Sequence, residues 1–292
     1  MKISGSSLVK VDRNSPLYAK LRDAHQRIAK KDSTIWGPKA QAEAAIRLNW
    51  VDLPESSQQL LPILKELKGT FAHATDIVLC GMGGSSLAPE VIAKTYKKEL
   101  FVLDSTDPEY VEHALNRDLS KTVVIVSSKS GSTIETSSQR ALFESRFTAA
   151  GLNPTSHIIF VTDPGSPLDI EVRAASFTVV NADPNVGGRF SALTAFGLVP
   201  SALMGVDGAE LLNEAAALKA KFLANDEEIL DIAYLFSEVA GQYIAFTDAG
   251  SAVPGLSDWI EQLIAESTGK DQTGRLPIAT ETLDDAKVGG SF

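Results

Sequence analysis

The sequence predicts an α/β fold in which a doubly wound parallel sheet follows N-terminal helices and precedes the incomplete start of a second α/β domain. Between residues 76 and 183, five short apolar runs rich in β-branched residues alternate with helical stretches. Continuous apolar strands joined by helices are typical of a parallel sheet that is covered on both faces. Polar amphipathic stretches come before this region, and one further strand–helix pattern comes after it. We therefore divide the chain into residues 1–66, 67–205 and 206–292.

The first part is predicted to be helical. Its amphipathic stretches are LYAKLRDAHQRIAKK (17–31), PKAQAEAAIRL (38–48) and SSQQLLPILKEL (56–67). Glycine and proline interrupt helices, and the stretches are separated at Gly37-Pro38 and at Pro54. We interpret this part as a packing element rather than a site.

The second part is predicted to contain the sheet. Its strands are DIVLC (76–80), LFVLD (100–104), TVVIVSS (122–128), HIIFVTD (157–163) and FTVVNAD (177–183). The helices between them are SLAPEVIAKTY (86–96), PEYVEHAL (108–115), STIETSSQRALFESRF (132–147) and SPLDIEVRAA (166–175). Ligands of such sheets bind beyond the carboxyl ends of the strands, so the loops that follow the strands are the places to search for a site.

The third part begins with two helical stretches, GAELLNEAAALKAKFL (208–223) and EEILDIAYLFSEVAGQYIAF (227–246). The end of the second stretch also reads as a strand, YIAFT (243–247), and it leads through a glycine-containing loop to a helix, SDWIEQLIAES (257–267). About two strand-like pieces are too few for an independent sheet. We therefore interpret this part as connecting helices and the opening of a second α/β domain.

Composition limits the kinds of partner. The chain has 292 residues, of which 44% are hydrophobic, and a formal net charge of −10, which argues against a general nucleic-acid or membrane-surface binder. Its one cysteine, Cys80, excludes an intramolecular disulfide and is predicted to be a small buried side chain. Because the sequence contains no secretory signal pattern and no apolar run of about 18 residues, we expect a cytoplasmic protein.

The loop GMGGSS (81–86) is the first with functional potential. Its glycines permit close approach of the backbone to a ligand, and free amides at the start of the following helix can bind an anion. A dinucleotide-binding fingerprint has a third glycine and an acidic residue about 20 positions later. Here Ser86 replaces that glycine and Asp104 ends the next strand, so a nicotinamide site remains an alternative.

The loop SSKSGSTIETSS (127–138) is the second. Lys129 is surrounded by hydroxyl side chains at the expected start of a helix: Ser127, Ser128, Ser130, Ser132 and Thr133. Capping a helix needs only one or two of them, so the excess indicates a phosphate whose peripheral oxygens each accept a hydrogen bond. Because no Walker lysine signature and no evident Mg²⁺ carboxylates are present, we predict a phosphomonoester of a small metabolite rather than a nucleoside triphosphate.

Two further segments carry charged candidates. In VGGRFSALTAFGLVP (186–200), Arg189 lies at a helix start, where a positive charge is unfavourable unless a negative group is nearby. In WIEQLIAESTGK (259–270), Gln262 and Glu266 share one helix face, and Glu266 lies at the helix end that disfavours a negative charge. Glu266 is therefore a candidate base, although each segment read alone also fits a solvated surface charge.

Together the four segments resemble the glucose-6-phosphate isomerase family, which is built from sugar isomerase domains. GMGGSSLAP is similar to the family's first phosphate-side loop and SSKSGSTIET to its S-K-T-x-T-T-x-E-T loop. VGGRFSALTAFGL is similar to its G-G-R-[FY]-S segment and QLIAESTGK to its Q-x-x-x-E-S-x-G-K segment. The segments occur in the family's order, and the surrounding sequence most resembles the isomerase portion of bacterial bifunctional transaldolase/glucose-6-phosphate isomerases.

The resemblance implies interconversion of glucose 6-phosphate and fructose 6-phosphate through a cis-enediol(ate), without a metal or an organic cofactor. The residues implied to hold the substrate phosphate are Gly84, Ser85, Ser128, Lys129, Ser130, Ser132 and Thr133. Gln262 is implied to touch sugar hydroxyls, Arg189 to face the reacting carbons, and Glu266 to move a proton between C1 and C2.

The chain departs from the family pattern after Glu266. The family uses a histidine for ring opening, supplied across a homodimer, and a lysine near its C-terminal end. All four histidines of the chain precede Glu266, and we expect packing or surface roles for them: His25, His73, His113 and His157. Lys287 lies in a polar tail, so we expect a C-terminally truncated second domain, with a homodimer in the full-length parent. A phosphosugar-binding module without turnover is therefore the alternative function.

Overall fold

A computed structural model describes residues 5–224, 227–239, 242–270, 274–282 and 284–285. The strands in these ranges are β1 (Asp76–Gly81), β2 (Phe101–Leu103), β3 (Thr122–Ser127), β4 (Ile158–Thr162), β5 (Thr178–Asn181), β6 (Tyr243–Phe246) and β7 (Leu276–Ala279). The first five form a parallel sheet in the order β2-β1-β3-β4-β5, and β6 pairs in parallel with β7. The predicted α/β fold with a doubly wound parallel sheet is confirmed.

Helices surround the larger sheet on both faces. The α-helices of the described ranges are α1 (Pro16–Ile28), α2 (Gly37–Arg47), α3 (Leu53–Ser56), α4 (Leu61–Thr70), α5 (Leu87–Thr95), α6 (Pro108–Leu115), α7 (Ile134–Ala149), α8 (Pro167–Ala174), α9 (Ala195–Leu203), α10 (Gly208–Leu223), α11 (Glu227–Tyr234) and α12 (Leu256–Thr268). Helices α4, α5, α9 and α10 contribute to the core on one face, and α6, α7 and α8 contribute to the core on the other.

The central strands are apolar at their inner positions because both of their faces are covered. In β1, Ile77 and Leu79 pack into one core, whereas Val78 and Cys80 pack into the other. This alternation follows from the two-residue repeat of a strand. Cys80 is completely buried, as the sequence predicted, and burial raises the pKa of its thiol.

The N-terminal helices hold the third part of the chain against the sheet. Tyr18 of α1 packs with Leu230 and Tyr234 of α11, and α3 contacts α10. The stretch predicted as one helix over 56–67 is instead divided, since a 3₁₀ turn at Ser57–Leu60 precedes α4. Pro62, at the first turn of α4, accounts for a helix start there.

The helix predicted over 227–246 is too long. Helix α11 ends at Tyr234, a π-helical turn covers Leu235–Val239, and Tyr243–Phe246 is a strand. Tyr243–Phe246 is a strand because it pairs with Leu276–Ala279. A local hydrophobic pattern carries no information about a partner so distant in sequence. The resulting β6–α12–β7 unit places α12 beside α5 and above the loop that follows β1.

No helix in the described part of the chain is both long and apolar enough to cross a bilayer.

Candidate active site

The strand order creates one crevice at the carboxyl ends of β1 and β3. The chain passes from β1 to β2 on one side and from β3 to β4 on the other, so the loops after these neighbouring strands diverge. A cleft of about 240 Å³ lies there. Nine of the ten predicted site residues line it: Gly84, Ser85, Ser128, Lys129, Ser130, Thr133, Arg189, Gln262 and Glu266. The remaining one, Ser132, does not line it.

Gly84 allows the first loop to touch the segment that carries Arg189. A Cβ atom added to Gly84 would lie 2.5 Å from the carbonyl carbon of Gly188, which is closer than real Cβ contacts permit. The 3₁₀ turns Gly83–Ser85 and Gly188–Leu193 therefore pack backbone against backbone. This contact fixes Arg189 next to the first loop, residues 81–86.

Part of the hydroxyl excess in the second loop stabilises the loop itself. The Ser128 hydroxyl accepts a hydrogen bond from the Gly131 amide at 3.1 Å, and the hydroxyls of Ser130 and Ser132 lie 2.6 Å apart. Ser132 is thus bonded to Ser130 outside the cleft. The predicted role of Ser132 at the phosphate is therefore the one that the geometry favours least.

Other hydroxyls of this loop have no such structural task. Thr133 immediately precedes α7, yet its side chain makes no capping hydrogen bond, and its residue lines the cleft. Ser127 also lines the cleft, and its buried hydroxyl has no hydrogen-bond partner among the described residues. Helix α7 begins directly after Thr133, and a helix does not pair the N–H groups of its first turn within itself. The loop can therefore donate several hydrogen bonds to an anion.

Lys129 stands at the wall of the cleft with its charge balanced. Its ammonium lies 2.6 Å from Oδ2 of Asp163 and donates to the Pro184 carbonyl at 3.3 Å. Burial raises the pKa of the Asp163 carboxyl, and the neighbouring ammonium opposes that rise. No sequence motif marks Asp163, although its position directly after β4 is a signal that identifies it as a candidate.

Arg189 is held at four points. Its Nη1 donates to Oε1 of Glu266 at 2.8 Å, and its Nε donates to the Ser267 hydroxyl at 2.8 Å. The Phe190 ring lies 4.8 Å from the guanidinium carbon, and the Trp259 indole donates to the Arg189 carbonyl at 3.4 Å. Sequence analysis expected a negative neighbour for Arg189, and the Glu266 carboxylate provides one. It missed Trp259 and the contact with Ser267.

Gln262 and Glu266 lie one helical turn apart on α12, and both face the cleft. The Gln262 side-chain oxygen is buried without a hydrogen-bond partner among the described residues, and its nitrogen lies beside Gly83. An amide with a free acceptor at this position can orient a ligand hydroxyl.

A second cleft, of about 520 Å³, adjoins the first and has an aromatic wall. Trp36 and Trp50 line it together with Phe190, and the rings of Trp50 and Phe190 stack with centroids 5.4 Å apart. The two clefts share Lys129, Gly188, Arg189 and Glu266. The N-terminal part was interpreted as a packing element rather than a site; it also forms this wall, which local sequence patterns could not reveal across such a distance.

The four histidines lie away from both clefts. Their rings pack against aromatic neighbours: His25 against Phe222, His113 against Phe101, and His73 and His157 against each other. Among the residues that the structure describes, no group of three or more histidine, cysteine or acidic side chains is placed to hold a metal ion. Lys287 lies outside the described residues.

Comparisons with known proteins match this arrangement. A profile of the family described as phosphoglucose isomerase matches residues 64–274, a range that includes all four motifs. Glucose-6-phosphate isomerase of Cyanothece sp. is 34% identical over 215 residues, which are 68% of this chain and 40% of that protein. Glucose-6-phosphate isomerase of Thermus thermophilus is 30% identical over 275 residues, which are 91% of this chain and 63% of that protein.

A solved structure agrees with the sequence matches. The crystal structure of a hypothetical protein from Thermus thermophilus aligns with a TM-score of 0.76 at 29% identity, over 96% of this chain and 67% of that one. The chain spans 40% and 63% of the two curated relatives described above, so it corresponds to about half of such a protein. The profile match and the strand order agree with the four motifs, and the chain belongs to the phosphoglucose isomerase family.

Proposed function

We propose that the chain carries the substrate site of an isomerase that interconverts glucose 6-phosphate and fructose 6-phosphate through a cis-enediol(ate). The observation that carries the proposal is the contact between Glu266 and Arg189, 2.8 Å apart, at a cleft that also presents unpaired hydroxyls and helix-start amides. One wall of the cleft suits a phosphate, and the other joins a base to a permanent cation.

The phosphate would be held mainly by neutral donors. Ser85 and Thr133 offer hydroxyls from opposite sides of the crevice, and the first amides of α7, which begins directly after Thr133, can add further donors. The positive charge of Lys129 is already matched by Asp163. Hydrogen bonds to a charged acceptor are stronger than neutral ones, so a dianion can be bound without an unpaired cation.

The proton transfer would use Glu266 and Arg189 in turn. Glu266 takes the proton from C2 of the open-chain aldose, the C1–C2 double bond forms, and negative charge develops on the carbonyl oxygen. Arg189 stabilises that charge while its bond to Glu266 is given up. A proton passes from the C2 hydroxyl to the negatively charged C1 oxygen, and the protonated carboxyl of Glu266 returns its proton to C1, which yields the ketose. Gln262 orients the sugar hydroxyls.

The alternative, a phosphosugar-binding module without turnover, needs neither Arg189 nor Glu266. The structure nevertheless pairs them at the cleft. None of the four histidines lines the cleft, so the proposed chemistry of this chain is limited to open-chain substrate. For the full-length parent, we propose the full reaction on cyclic substrate and a homodimer.

The test is exchange of the C1 proton of fructose 6-phosphate with deuterated water, followed by NMR. The open-chain keto form of this sugar phosphate is present in solution, so the assay avoids ring opening. We expect exchange with the wild-type chain and a loss of about 10²- to 10⁴-fold in Glu266→Gln, which preserves side-chain size but removes the base. Glu43→Gln, in the adjoining cleft, is the matched control and should exchange normally.

Two results would contradict parts of the proposal. If Glu266→Gln exchanges the C1 proton as fast as the wild type does, another group is the base. Binding of fructose 6-phosphate by the wild-type chain without any exchange favours the binding module over the isomerase.

A further inference from the structure

Two consecutive residues at the end of α12 hold two different nitrogens of the Arg189 guanidinium. Glu266 accepts from Nη1 and Ser267 accepts from Nε, each at 2.8 Å. The hydrogen bonds and ion pairs of the described residues leave Nη2 unused, so the outer edge of the guanidinium is available to a ligand.

The two anchors differ in what happens to them during proton transfer. When Glu266 takes up a proton, its charge disappears, and with it the attraction to Arg189. Negative charge forms on the substrate oxygen at the same moment, which is when the direction of the guanidinium matters most. The Ser267 hydroxyl is neutral in every state, so its hydrogen bond persists after Glu266 is neutralised.

The position of the serine contact also suits this task. Nε is the inner nitrogen of the guanidinium, next to the flexible stem of the side chain, so a bond there restrains the whole plane. The Phe190 ring covers one face of that plane, and the Trp259 indole holds the Arg189 carbonyl. With its stem, face and backbone restrained, the arginine retains its orientation without help from Glu266.

We propose that Ser267 is a positioning residue, which keeps Nη2 of Arg189 directed at the developing enediolate oxygen while Glu266 carries the proton. The inference rests on the proposed function. Ser267 touches no substrate itself and acts through Arg189. Its contribution should therefore appear when the ligand carries negative charge at the reacting carbons, and it should be absent when the ligand carries only a phosphate.

The experiment compares two probes by calorimetry with the full chain. In 5-phospho-D-arabinonate a carboxylate stands where the enediolate oxygens form, whereas D-arabinitol 5-phosphate is uncharged at that end. We expect Ser267→Ala to weaken binding of the arabinonate about tenfold, the usual effect of losing one hydrogen bond to a charged group. Its binding of the arabinitol should be unchanged.

Two further variants separate positioning from general damage. Ser267→Thr retains the hydroxyl and should restore the wild-type preference for the arabinonate. Thr268→Ala, in which the lost hydroxyl bonded, among the described residues, only to the Ile264 carbonyl at 2.8 Å, should behave as wild type with both probes.

Each remaining outcome has one meaning. If Ser267→Ala weakens the binding of both probes equally, Ser267 has a structural role and the inference is overturned. An unchanged affinity of Ser267→Ala for the arabinonate also overturns it. A wild-type chain that binds the arabinitol but does not prefer the arabinonate removes the proposed role of Arg189 and the inference with it. A wild-type chain that binds neither probe contradicts the proposed phosphate site.

Discussion

Asp231 is the buried carboxylate that joins the N-terminal helices to the third part of the chain. Arg13 donates to both of its oxygens, at 3.2 and 2.7 Å, and the Tyr18 hydroxyl donates at 2.9 Å. These contacts, led by the Arg13 hydrogen bond, hold the pKa of Asp231 below its ordinary value. Burial and the same carboxylate raise the pKa of Tyr18 to about 12. The network is stable while Asp231 is ionised and Tyr18 is protonated.

Replacing Asp231 with Asn should lower the free energy of unfolding by about 1–2 kcal/mol at pH 7, a modest figure because Arg13 is half exposed. The folded-state pKa of Asp231 lies below the unfolded-state value, so its contribution is present above the unfolded-state pKa and is lost as pH falls through the folded-state pKa. The difference in the free energy of unfolding between variant and wild type should therefore shrink as the pH falls below about 4. Urea unfolding at several pH values measures it.

Glu227→Gln is the matched control, since Glu227 contacts the same arginine at 2.9 Å but is exposed. It should change the free energy of unfolding by less than about 0.5 kcal/mol. A deficit in Asp231→Asn that stays constant down to pH 3 would show that ionisation of this carboxylate is not the cause.

At the scale of elements, the contact between the two 3₁₀ turns determines the shape of the cleft. Gly84 and Gly188 face each other across this contact, yet they are not equivalent. A Cβ at Gly84 would collide with the backbone of Gly188, whereas a Cβ at Gly188 would meet no atom within 4 Å. A substitution of Gly84 can therefore be compared with the same substitution of Gly188, which serves as its control.

Gly84→Ala should separate the two turns and weaken binding of inorganic phosphate at least about tenfold, because Ser85 and the amides of the first loop would no longer lie opposite Thr133 at one ligand. Gly188→Ala should bind as wild type. Titration calorimetry measures both variants, and thermal unfolding shows whether each is folded. Wild-type binding by a folded Gly84→Ala protein would mean that the contact does not shape the site.

The strands of the larger sheet could be predicted because burial on both faces gives each a continuous apolar run, a pattern that needs no knowledge of their partners. Strand β6 was harder to predict, since Tyr243–Phe246 also continues a helical pattern and its strand state depends on pairing with β7.

The hydroxyls of the second loop were correctly located at a helix start. Some of these hydroxyls stabilise the loop, as Ser130 and Ser132 do, and others remain free to donate, as Thr133 does. Which hydroxyl has which role depends on tertiary geometry.

At the scale of the whole molecule, the site is assembled from all three parts of the chain. Sequence motifs predicted nine of the residues that line the cleft, since each motif carries its own local signal. They did not predict the aromatic wall from Trp36 and Trp50 or the pairing of Lys129 with Asp163. Those contacts join residues far apart in sequence, and single residues of common types carry no pattern that marks them.

We predict that the 292-residue chain has little or no isomerase activity on cyclic glucose 6-phosphate. Ring opening needs a proton donor at the ring oxygen, and none of the four histidines lines either cleft. A coupled assay with homogeneous protein measures this activity. Substantial turnover would show that another group of the chain opens the ring.

The central claim is that the crevice between the loops after β1 and β3 binds a sugar phosphate, and calorimetry with fructose 6-phosphate tests it most directly. The double variant Ser85→Ala/Thr133→Val removes one cleft hydroxyl from each loop at nearly constant volume, and Ser145→Ala, on α7 outside the cleft, is the control. We predict that the wild type and the control bind alike and that the double variant binds at least about 100-fold more weakly, the sum of two hydrogen bonds to a charged group at about tenfold each. Equal affinity in all three proteins would place the phosphate elsewhere and contradict the account.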